Sequence, residues 1–468
     1  MIKFGTGGWR AVIGDEFTKD NISLVAQGFA NLLHTKGVAK NKVIIGHDRR
    51  FLSDEAATWF AEVLTANEIP VILMSRSMPT PMIMHYVQKN DLDFGIEITA
   101  SHNPSCYNGI KIIVKEGRDA PVEFTAELEA YIEAITLADV KRLAVPNAFS
   151  EILVNPFNDY IDDILAQLNC EAVRNHGSRL LFNPMHGSGM YPLMCILYTL
   201  RCTVDPINYN KDAYFGGEMP APAPKSLADL ALEVVKGGYE MGIALDGDGD
   251  RLGIIDSYGT YIDANKILVM LYHYLHEYKG WKGPVVRNLA TTHMLDKLAA
   301  DLGETCHEVP IGFKYISAKI DESDAVLGGE SSGGLTVRGH IHGKDSVYAA
   351  ALFVEMISAI GMTPSEYYGM LEAKYGVHVM VEKNAGFAPE DKAGIVHRLM
   401  VDKELPTFSM PVSRVNYEDG CKVYFENGDF VICRFSGTEP LLRIFAESST
   451  AAQAEEYIKA FCDMLSIA

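Results

Sequence analysis

Short apolar runs typical of β-strands alternate with segments of helical periodicity along most of the chain, and this alternation is the strongest constraint on its fold. In the first third, apolar residues recur at helical spacing between residues 22 and 33, and strand-like runs such as Val71–Met74 and Phe94–Thr99 follow. The same pattern restarts near Arg179 and again near Ile262. Repeated strand–helix–strand units predict mainly parallel sheets covered by helices. Each unit offers a loop at the carboxyl end of a strand, where open α/β sheets bind their ligands.

The C-terminal part of the chain follows a different pattern. Its strand-like runs are joined by short polar turns, and they are Val412–Tyr417, Cys421–Phe425 and Asp429–Phe435. The second turn contains Asn427-Gly428, a strong signal for a two-residue hairpin. A closing helix is predicted over about residues 451–467. These features predict a small α+β domain with an antiparallel sheet.

The length of the chain also argues for several domains, because single hydrophobic cores rarely grow beyond about 250–300 residues. For 468 residues, the sequence predicts three consecutive, similar α/β domains with mixed, mainly parallel sheets, at residues 1–148, 149–256 and 257–372. The α+β domain with its antiparallel sheet would then occupy residues 373–468.

Charge and composition exclude several classes of protein. The chain has 41 Lys and Arg against 61 Asp and Glu, a formal net charge of −20, whereas a nucleic-acid binder needs a basic face. No segment approaches the roughly 20 apolar residues that cross a bilayer, and the N-terminus lacks a signal-peptide pattern. Eight cysteines without a Cys-x-x-Cys pair suit free thiols in a reducing compartment. We therefore expect a cytoplasmic protein, monomeric or homodimeric, with no nucleic-acid or membrane partner.

The segment Asp246-Gly-Asp248-Gly-Asp250-Arg251 is the sharpest local feature. Three alternating carboxylates can converge on one hard cation, while the glycines let the backbone wrap closely. An EF-hand would place Gly where Arg251 stands and Glu where Ser257 stands, so that alternative fails. A solvated acidic turn is the other alternative, but apolar runs flank the loop on both sides. The pattern predicts a metal site, best suited to Mg²⁺.

A second loop, Thr99-Ala-Ser101-His102-Asn103-Pro104, follows the strand-like run that ends near residue 99. A hydroxyl beside an imidazole, with Lys111 further along, could act as a nucleophile. Neighbouring Ser and His alone are a weak signal, because Asn103-Pro104 is also typical of an ordinary turn. A functional role for this loop is better supported because, like the acidic loop, it follows the carboxyl end of a strand-like run.

Two further loops suit anions. Phe4-Gly-Thr-Gly-Gly-Trp-Arg10 offers backbone amides and Arg10, although a simple tight turn is about equally consistent. Arg434-Phe-Ser436-Gly437-Thr438-Glu439-Pro440, with Arg443 beyond it, combines two guanidiniums, two hydroxyls and a glycine amide. Arg pairs with phosphate through two parallel hydrogen bonds, so this set predicts a phosphate site. The alternative is a capped turn with surface arginines.

The segment Gly329-Glu330-Ser331-Ser332-Gly333-Gly334 formally satisfies the Gly-x-Ser-x-Gly elbow of serine hydrolases, with Ser331 as nucleophile. That elbow requires a helix after the serine, whereas residues 335–338 look like a strand. The competing reading is a ligand loop in which Glu330 and Ser332 hydrogen-bond hydroxyl groups.

Taken in order, these five loops resemble those of the α-D-phosphohexomutase family, which includes phosphoglucomutases and phosphomannomutases. The resemblance runs from Phe4 to Arg443, and the combination of T-A-S-H-N-P, D-G-D-G-D-R, G-E-S-S-G-G and R-F-S-G-T-E-P is highly specific. It implies four domains arranged around a central cleft, with one loop from each domain.

The resemblance implies that Ser101 is a phosphoserine that donates and recovers a phosphoryl group. Mg²⁺ would be held by the phosphate on Ser101 and by the carboxylates of Asp246, Asp248 and Asp250. Positive charge around the transferring phosphate would come from Arg10, Arg251 and Lys111. Near the transferring phosphate, His102 and Lys111 match family positions for acid–base roles.

Other positions would bind the sugar phosphate. Glu330 and Ser332 would recognise sugar hydroxyls, and Lys314 would orient the substrate. The phosphate that is not being transferred would be held by a clamp of Arg434, Ser436, Gly437, Thr438 and Arg443.

Two positions depart from the family pattern. Some dual-specificity members end the sugar loop in His, where this chain has Gly334. The family's Lys-Asp-Gly reads Lys344-Asp345-Ser346 here.

The implied activity is the reversible interconversion of hexose 1-phosphate and hexose 6-phosphate. The intermediate would be a hexose 1,6-bisphosphate, with glucose 1,6-bisphosphate as activator. The sugar loop favours glucose phosphates, with phosphomannomutase or dual activity as the close alternative. Phosphoglucosamine mutase, and a serine hydrolase that uses Ser331, are less favoured.

Overall fold

The computed structural model of the chain describes residues 2–5, 7–143, 151–153, 156–435 and 441–467. The described chain divides into two compact units. The first unit combines Met1–Ala264 with Ser332–Ser365, and the second combines Asn265–Ser331 with Glu366–Ala468.

The first sheet has seven strands in the order β1-β5-β4-β2-β3-β7, with β6 paired to β5. Its strands are β1 (Trp9–Val12), β2 (Val43–His47), β3 (Val71–Met74), β4 (Phe94–Ile98), β5 (Tyr107–Val114), β6 (Arg118–Asp119) and β7 (Glu151–Leu153). The helices are α1 (Lys19–Thr35), α2 (Ser53–Ala66), α3 (Thr80–Lys89) and α4 (Val122–Glu133). The central strands β2, β3 and β4 are fully buried and pair in parallel, which explains their continuous apolar runs.

The position of Ser53 ahead of a helical segment predicts that it caps α2, but the structure differs. Leu52 precedes the helix in the left-handed region with φ 63°, and Ser53 is its first helical residue. The Ser53 hydroxyl donates to Asp48 at 2.7 Å and accepts the Asn108 amide at 2.9 Å, and among the described residues it accepts no N–H of the first helical turn. Ser53 therefore stabilises the segment after β2, because a buried carboxylate competes successfully for its hydroxyl.

The second sheet has the order β12-β11-β10-β8-β9. Its strands are β8 (Arg179–Asn183), β9 (Thr203–Pro206), β10 (Met241–Leu245), β11 (Leu252–Asp256) and β12 (Tyr261–Ile262). The helices are α5 (Phe157–Gln167), α6 (Cys170–His176), α7 (Met190–Thr199) and α8 (Ala228–Gly237). β8 pairs in parallel with β9 and β10, whereas β10 and β11 are antiparallel, so the short acidic loop connects two buried strands.

The third stretch is again α/β. Its strands are β13 (Val285–Asn288), β14 (Cys306–Val309), β15 (Leu327–Gly329) and β16 (Leu335–Val337). Its helices are α9 (Ala264–Glu277), α10 (Met294–Asp301), α11 (Phe313–Ser323), α12 (Ser346–Ile360) and α13 (Pro364–Tyr375). In the second unit, β13 pairs in parallel with both β14 and β15.

Helix α12 is a core helix, as its apolar sequence predicts. All residues from 346 to 357 are buried, including the charged Glu355, which accepts the N–H of Asn169 at 2.6 Å. Among the described residues, no single helix is long and apolar enough to span a membrane. Within the same residues, α12 and α13 taken together would be long and apolar enough, but they are separate helices.

The C-terminal sheet is antiparallel throughout, in the order β17-β21-β20-β19-β18. Its strands are β17 (Val379–Gly386), β18 (Val412–Asn416), β19 (Cys421–Phe425), β20 (Phe430–Phe435) and β21 (Leu441–Ser448), with helices α14 (Lys392–Val396) and α15 (Ala451–Leu465). The predicted α+β domain and the three preceding α/β stretches are thus confirmed.

The hairpin at Asn427-Gly428 is present, but its turn is one residue longer than predicted. The N–H of Phe425 donates to the carbonyl of Asp429 at 3.0 Å, so three residues lie between this hydrogen-bonded pair. Gly428 has φ 91°, a conformation that a residue with a side chain rarely adopts.

A cluster of buried charges lies within the second unit. Glu308, on β14, accepts hydrogen bonds from Arg287 and Lys422, each at 2.6 Å, and from the Tyr424 hydroxyl. The Lys422 side chain is completely buried and also lies 3.0 Å from the His293 ring. Burial and the nearby Arg287 lower the pKa of Lys422 to about 7, although Glu308 opposes this shift. One carboxylate therefore stabilises two buried cations.

Glu308→Gln should lower the free energy of unfolding of the second unit by about 3–5 kcal/mol, because it leaves the buried Lys422 ammonium without its counter-charge, whereas Arg287 keeps its ion pair with Asp296 at 2.7 Å. The pKa of Lys422 in the folded protein lies below its unfolded value of 10.5. The positive charge on Lys422 therefore lowers the free energy of unfolding below about pH 7. This loss disappears as the pH rises toward 10.5, the pKa of Lys422 in the unfolded chain. Urea unfolding should show a larger loss for Glu308→Gln at about pH 6 than at about pH 9.

Glu322→Gln is the matched control. Glu322 forms an ion pair with Lys319 at 2.8 Å, but its side chain is 71% exposed. An exposed pair of this kind contributes little, so no measurable loss is expected. Equal losses for the two variants would contradict the role assigned to the buried cluster.

Candidate active site

Ser101 is held in a fixed conformation beyond the end of β4. The strand ends at Ile98, and Ser101 adopts φ 50°, a left-handed conformation that costs about 1–3 kcal/mol unless its surroundings impose it. The N–H of Ser101 donates to the Thr99 hydroxyl at 2.8 Å, and that hydroxyl donates to Asp48 at 2.7 Å. These hydrogen bonds hold the strained residue, whose surface is only 1% exposed.

The loop between β10 and β11 brings three carboxylates together. Asp246, Asp248 and Asp250 are buried, and one carboxylate oxygen of each lies within 4.8 Å of the others. Oδ1 of Asp246 accepts the N–H groups of Asp250 and Arg251 at 2.9 and 3.0 Å. Oδ2 of Asp246 accepts the Ser101 hydroxyl at 3.0 Å. The hydroxyl therefore lies at the edge of the carboxylate cluster.

The glycines of this loop permit its close approach to the Ser101 loop. A Cβ atom on Gly247 would lie 2.7 Å from the carbonyl oxygen of Ser101. Gly249 has φ 73°, and a Cβ atom there would lie 2.9 Å from Cβ of Pro79. A side chain at Gly247 would push the two loops apart, and one at Gly249 would collide with Pro79 ahead of α3.

Cations from other segments balance the carboxylates. Nζ of Lys111, on β5, lies 3.2 Å from both Asp248 and Asp250, and Nζ of Lys344 lies 2.9 Å from Asp250. Burial would raise the pKa of Asp250, but Lys344, Lys111 and Arg251 outweigh it and hold that pKa well below its usual range. Burial would likewise lower the pKa of Lys111, but Asp248 and Asp250 outweigh it and raise that pKa.

The donor set fits a hard divalent cation. Oδ1 of Asp248 and Oδ1 of Asp250 are buried, and neither has a hydrogen-bond partner among the described residues. Burial and repulsion by these two neighbours raise the pKa of Asp246 well above its usual range. Buried oxygens without partners are costly, and a cation bound by all three carboxylates would remove that cost. The three carboxylates and the Ser101 hydroxyl could hold a metal ion.

Arg10 and His102 also lie close to the Ser101 loop. Arg10, on β1, donates to the side chain of Asn103 at 2.5 Å, but its buried Nε has no hydrogen-bond partner among the described residues. Nδ1 of His102 lies 3.3 Å from the Ser101 hydroxyl. Burial, followed by the charges of Arg251 and Arg10, lowers the pKa of His102 well below its usual range. Arg251 and Arg10, near His102, therefore offer positive charge suited to an anion.

The structure adds three residues that the sequence analysis did not assign to the site. Lys344 contacts Asp250, and the neighbouring N–H of Ser346 donates to the carbonyl of Gly249 at 3.2 Å. Asp48 and Arg50 follow β2 and contact the Ser101 loop. The sequence did contain a signal for Asp48 and Arg50, because Asp48 directly follows a strand-like apolar run, as the acidic loop does.

The predicted sugar-binding residues divide between the two units. Glu330 follows β15 in the second unit and accepts the Asn288 amide at 3.0 Å. Lys314 lies in the first turn of α11, with its ammonium 5.0 Å from the Tyr315 ring centre. Ser332 is exposed and belongs to the first unit.

The predicted phosphate clamp is described in part. Arg434 lies within β20, as the strand-like run Asp429–Phe435 predicts, and Arg443 lies within β21, where the two are paired across the sheet. Arg434 forms an ion pair with Asp419 at 3.3 Å, and Asp419 also accepts the N–H of Ile311 at 3.1 Å. The remaining clamp residues lie outside the described residues; they are Ser436, Gly437 and Thr438.

The serine-hydrolase alternative fails on local structure. Ser331 is followed by a turn and by strand β16, not by the helix that the elbow requires. The carbonyl of Gly333 accepts the N–H of Leu252 at 3.1 Å, which ties the end of this segment to the strand after the acidic loop.

Family models cover most of the chain in the expected order. Models of the phosphoglucomutase/phosphomannomutase alpha/beta/alpha domains I, II and III match residues 1–139, 158–259 and 263–375, and the model of the C-terminal domain matches residues 395–464. The chain belongs to this family, the α-D-phosphohexomutases. It is therefore an isomerase that transfers a phosphoryl group, and the resemblance found in the sequence is confirmed.

Similar phosphohexomutases carry different substrate names. A "Phosphoglucomutase/phosphomannomutase" from Thermococcus kodakarensis is 28% identical over 461 residues, covering 97% of this chain and 96% of that protein. A "Probable phosphoglucosamine mutase" from Methanopyrus kandleri is 28% identical over 467 residues, covering 99% and 97%. The crystal structure of a Thermus thermophilus protein, provisionally described as a phosphomannomutase, matches with a TM-score of 0.86 at 27% identity and covers 99% of both chains. These relatives support the reaction class and leave the sugar open.

Asp250→Asn should weaken the binding of Mn²⁺, an EPR-visible substitute for Mg²⁺, by roughly 100-fold, because it removes one of three carboxylate ligands. Lys344→Met should have the opposite effect and strengthen binding roughly 10-fold, because it removes a positive charge beside the same carboxylate. Asp229→Asn, at an exposed position in the first turn of α8, is the control and should bind as the unmodified protein does. Unchanged binding by Asp250→Asn would show that the ion does not occupy this cluster.

Proposed function

We propose that this phosphohexomutase interconverts glucose 1-phosphate and glucose 6-phosphate, with Ser101 as the residue that carries the phosphoryl group. One observation supports this most strongly: the Ser101 hydroxyl lies 3.0 Å from Asp246 in a buried carboxylate cluster that fits a divalent cation. Phosphoryl transfer depends mainly on positioning and on neutralising charge, and this surrounding set of groups offers both.

In the proposed forward step, a hydroxyl oxygen of the sugar phosphate attacks the phosphorus on Ser101. The bond from phosphorus to Oγ breaks, and Oγ takes up a proton while the sugar hydroxyl loses one. Nδ1 of His102, 3.3 Å from Oγ, is placed to move a proton at that atom. The same step in reverse returns the opposite phosphate of the bisphosphate to Ser101 and completes the isomerisation.

The charges around Ser101 have distinct proposed roles. Asp246, Asp248 and Asp250 would hold Mg²⁺, which when bound withdraws charge from the phosphoryl oxygens. Arg10 and Arg251 would contact those oxygens from the protein side, since each has a buried Nε without a hydrogen-bond partner among the described residues. Lys111, held between two carboxylates, would maintain the charge balance as the phosphate moves.

The remaining proposed roles concern substrate binding. Glu330 and Ser332 would hydrogen-bond sugar hydroxyls, and Lys314 would orient the substrate. The non-transferring phosphate would be bound by a clamp made of Arg434, Ser436, Gly437, Thr438 and Arg443. Glucose 1,6-bisphosphate would serve as the intermediate and as the activator that phosphorylates Ser101.

The choice of glucose rests on the loop Gly329-Glu-Ser-Ser-Gly-Gly334, which is more similar to loops of glucose-type members than to those of glucosamine-type members. Mannose differs from glucose only in the configuration of one hydroxyl, so dual activity is the close alternative. Glucosamine carries an ammonium group instead of that hydroxyl, and the names of several relatives make it the second alternative.

Ser101→Ala should lower turnover of glucose 1-phosphate by about 10⁴-fold or more, because no acceptor remains for the phosphoryl group. Ser105→Ala, four residues along the same loop, is the matched control and should keep full activity. The assay couples glucose 6-phosphate formation to its oxidation, in the presence of Mg²⁺ and a trace of glucose 1,6-bisphosphate. Full activity of Ser101→Ala would refute the proposed mechanism.

A comparison of kcat/KM for the 1-phosphates of glucose, mannose and glucosamine tests the proposed substrate. We expect glucose to give the highest value, with mannose within about tenfold, because a single epimeric hydroxyl changes transition-state binding only modestly. A higher value for glucosamine would overturn the glucose assignment and leave the phosphoserine mechanism intact.

A further inference from the structure

Arg50 is a buried arginine whose two terminal guanidinium nitrogens donate to backbone carbonyls of the Ser101 loop and of the first residue of β5. Nη2 donates to the carbonyls of Ser101 and Asn103 at 2.5 and 2.6 Å. Nη1 donates to the carbonyls of Pro104 and Tyr107 at 2.9 and 3.0 Å. The two terminal nitrogens, with four N–H groups between them, therefore contact four carbonyls, three in the loop between β4 and β5 and one at the first residue of β5.

This loop also contains turns of its own, in which the N–H groups of Asn103 and Tyr107 donate to the carbonyls of Ala100 and Pro104, each at 3.0 Å. It lies between β4 and β5, where the chain forms turns, and it begins with the left-handed Ser101. A loop of this kind has several conformations of similar energy unless its carbonyls are fixed. Arg50 fixes the carbonyl of Ser101 itself, and with it the peptide plane next to the strained residue.

Arg50 is in turn held on two other sides. Its Nε lies 3.3 Å from Asp48, the carboxylate that also accepts the Thr99 hydroxyl. The ring of Phe215 lies over the guanidinium, with 4.9 Å between the ring centre and Cζ. The guanidinium is thus oriented before any substrate binds, and a lysine ammonium at this position could not contact four carbonyls in one plane.

We propose that Arg50 is a positioning residue for phosphoryl transfer, which holds the Ser101 hydroxyl in its transfer geometry beside Asp246. This inference rests on the proposed role of Ser101 as phosphoryl carrier. Since Arg50 contacts the loop and not the sugar-binding residues, it should affect the rate of transfer far more than the affinity for the hexose phosphate.

The test compares Arg50→Lys with Arg49→Lys. Arg49 is the adjacent arginine, and it also donates to backbone carbonyls, those of His186 and Tyr209, but outside the Ser101 loop. Folding is checked by circular dichroism, and the rate of Ser101 phosphorylation by glucose 1,6-bisphosphate is measured in a single turnover. Arg50→Lys should lower this rate and kcat by about 10²-fold, with KM changed by less than about threefold. Arg49→Lys should match the unmodified protein.

Phe215→Leu is a milder second variant, which decides the outcome if Arg50→Lys does not fold. It removes the ring over the guanidinium and should lower the single-turnover rate by about 3- to 10-fold. A folded Arg50→Lys with an unchanged rate, or with only a raised KM, would overturn the inference. An unchanged rate for Phe215→Leu would do the same if Arg50→Lys is unfolded. If glucose 1,6-bisphosphate places no phosphate on Ser101 of the unmodified protein, the proposed function on which this inference rests is refuted instead.

Discussion

The repulsion between three buried carboxylates is the constraint on which the structure of the first unit depends. Asp246, Asp248 and Asp250 lie within a few ångströms of each other and are almost completely excluded from water. Such charges are tolerated only when cations or a metal compensate them. Lys111 and Lys344 supply part of this compensation from distant parts of the chain. Residues far apart in sequence must therefore meet for this unit to fold, and they meet at the site proposed for catalysis.

The strain at Ser101 and the packing around it follow from the same constraint. The acidic loop can approach only because it carries glycines, and its approach places Asp246 against the Ser101 hydroxyl. Another buried carboxyl group, that of Glu97 on β4, is accommodated differently. It has no hydrogen-bond partner among the described residues, and burial together with Asp48 and Asp248 raises its pKa well above the usual range. Cations therefore compensate the carboxylates of the proposed metal site, whereas the Glu97 carboxyl group is accommodated by a raised pKa.

Much of the architecture could be predicted from local sequence patterns. Continuous apolar runs identified β3, β4 and the strands on both sides of the acidic loop, and the loops after β4 and β10 were recognised as candidate sites, because strand burial and turn chemistry are local properties. Arg50 and Lys344 were not assigned, since their partners lie about 50 and 90 residues away in the chain and no spacing rule links them. The strand that carries Arg443, β21, was not among the predicted strands, although its buried positions alternate as in a half-buried strand. Ser53 was misplaced as a helix cap because Asp48 competes for its hydroxyl.

The central claim is that Ser101 carries the phosphoryl group, and peptide mass spectrometry tests it most directly. The protein is incubated with Mg²⁺ and glucose 1,6-bisphosphate, digested and mapped for phosphorylated residues. The account predicts one phosphoryl group on the hydroxyl of Ser101, which is lost when hexose monophosphate is added in excess. A phosphoryl group on another residue, or turnover without any phosphorylated residue, would contradict it.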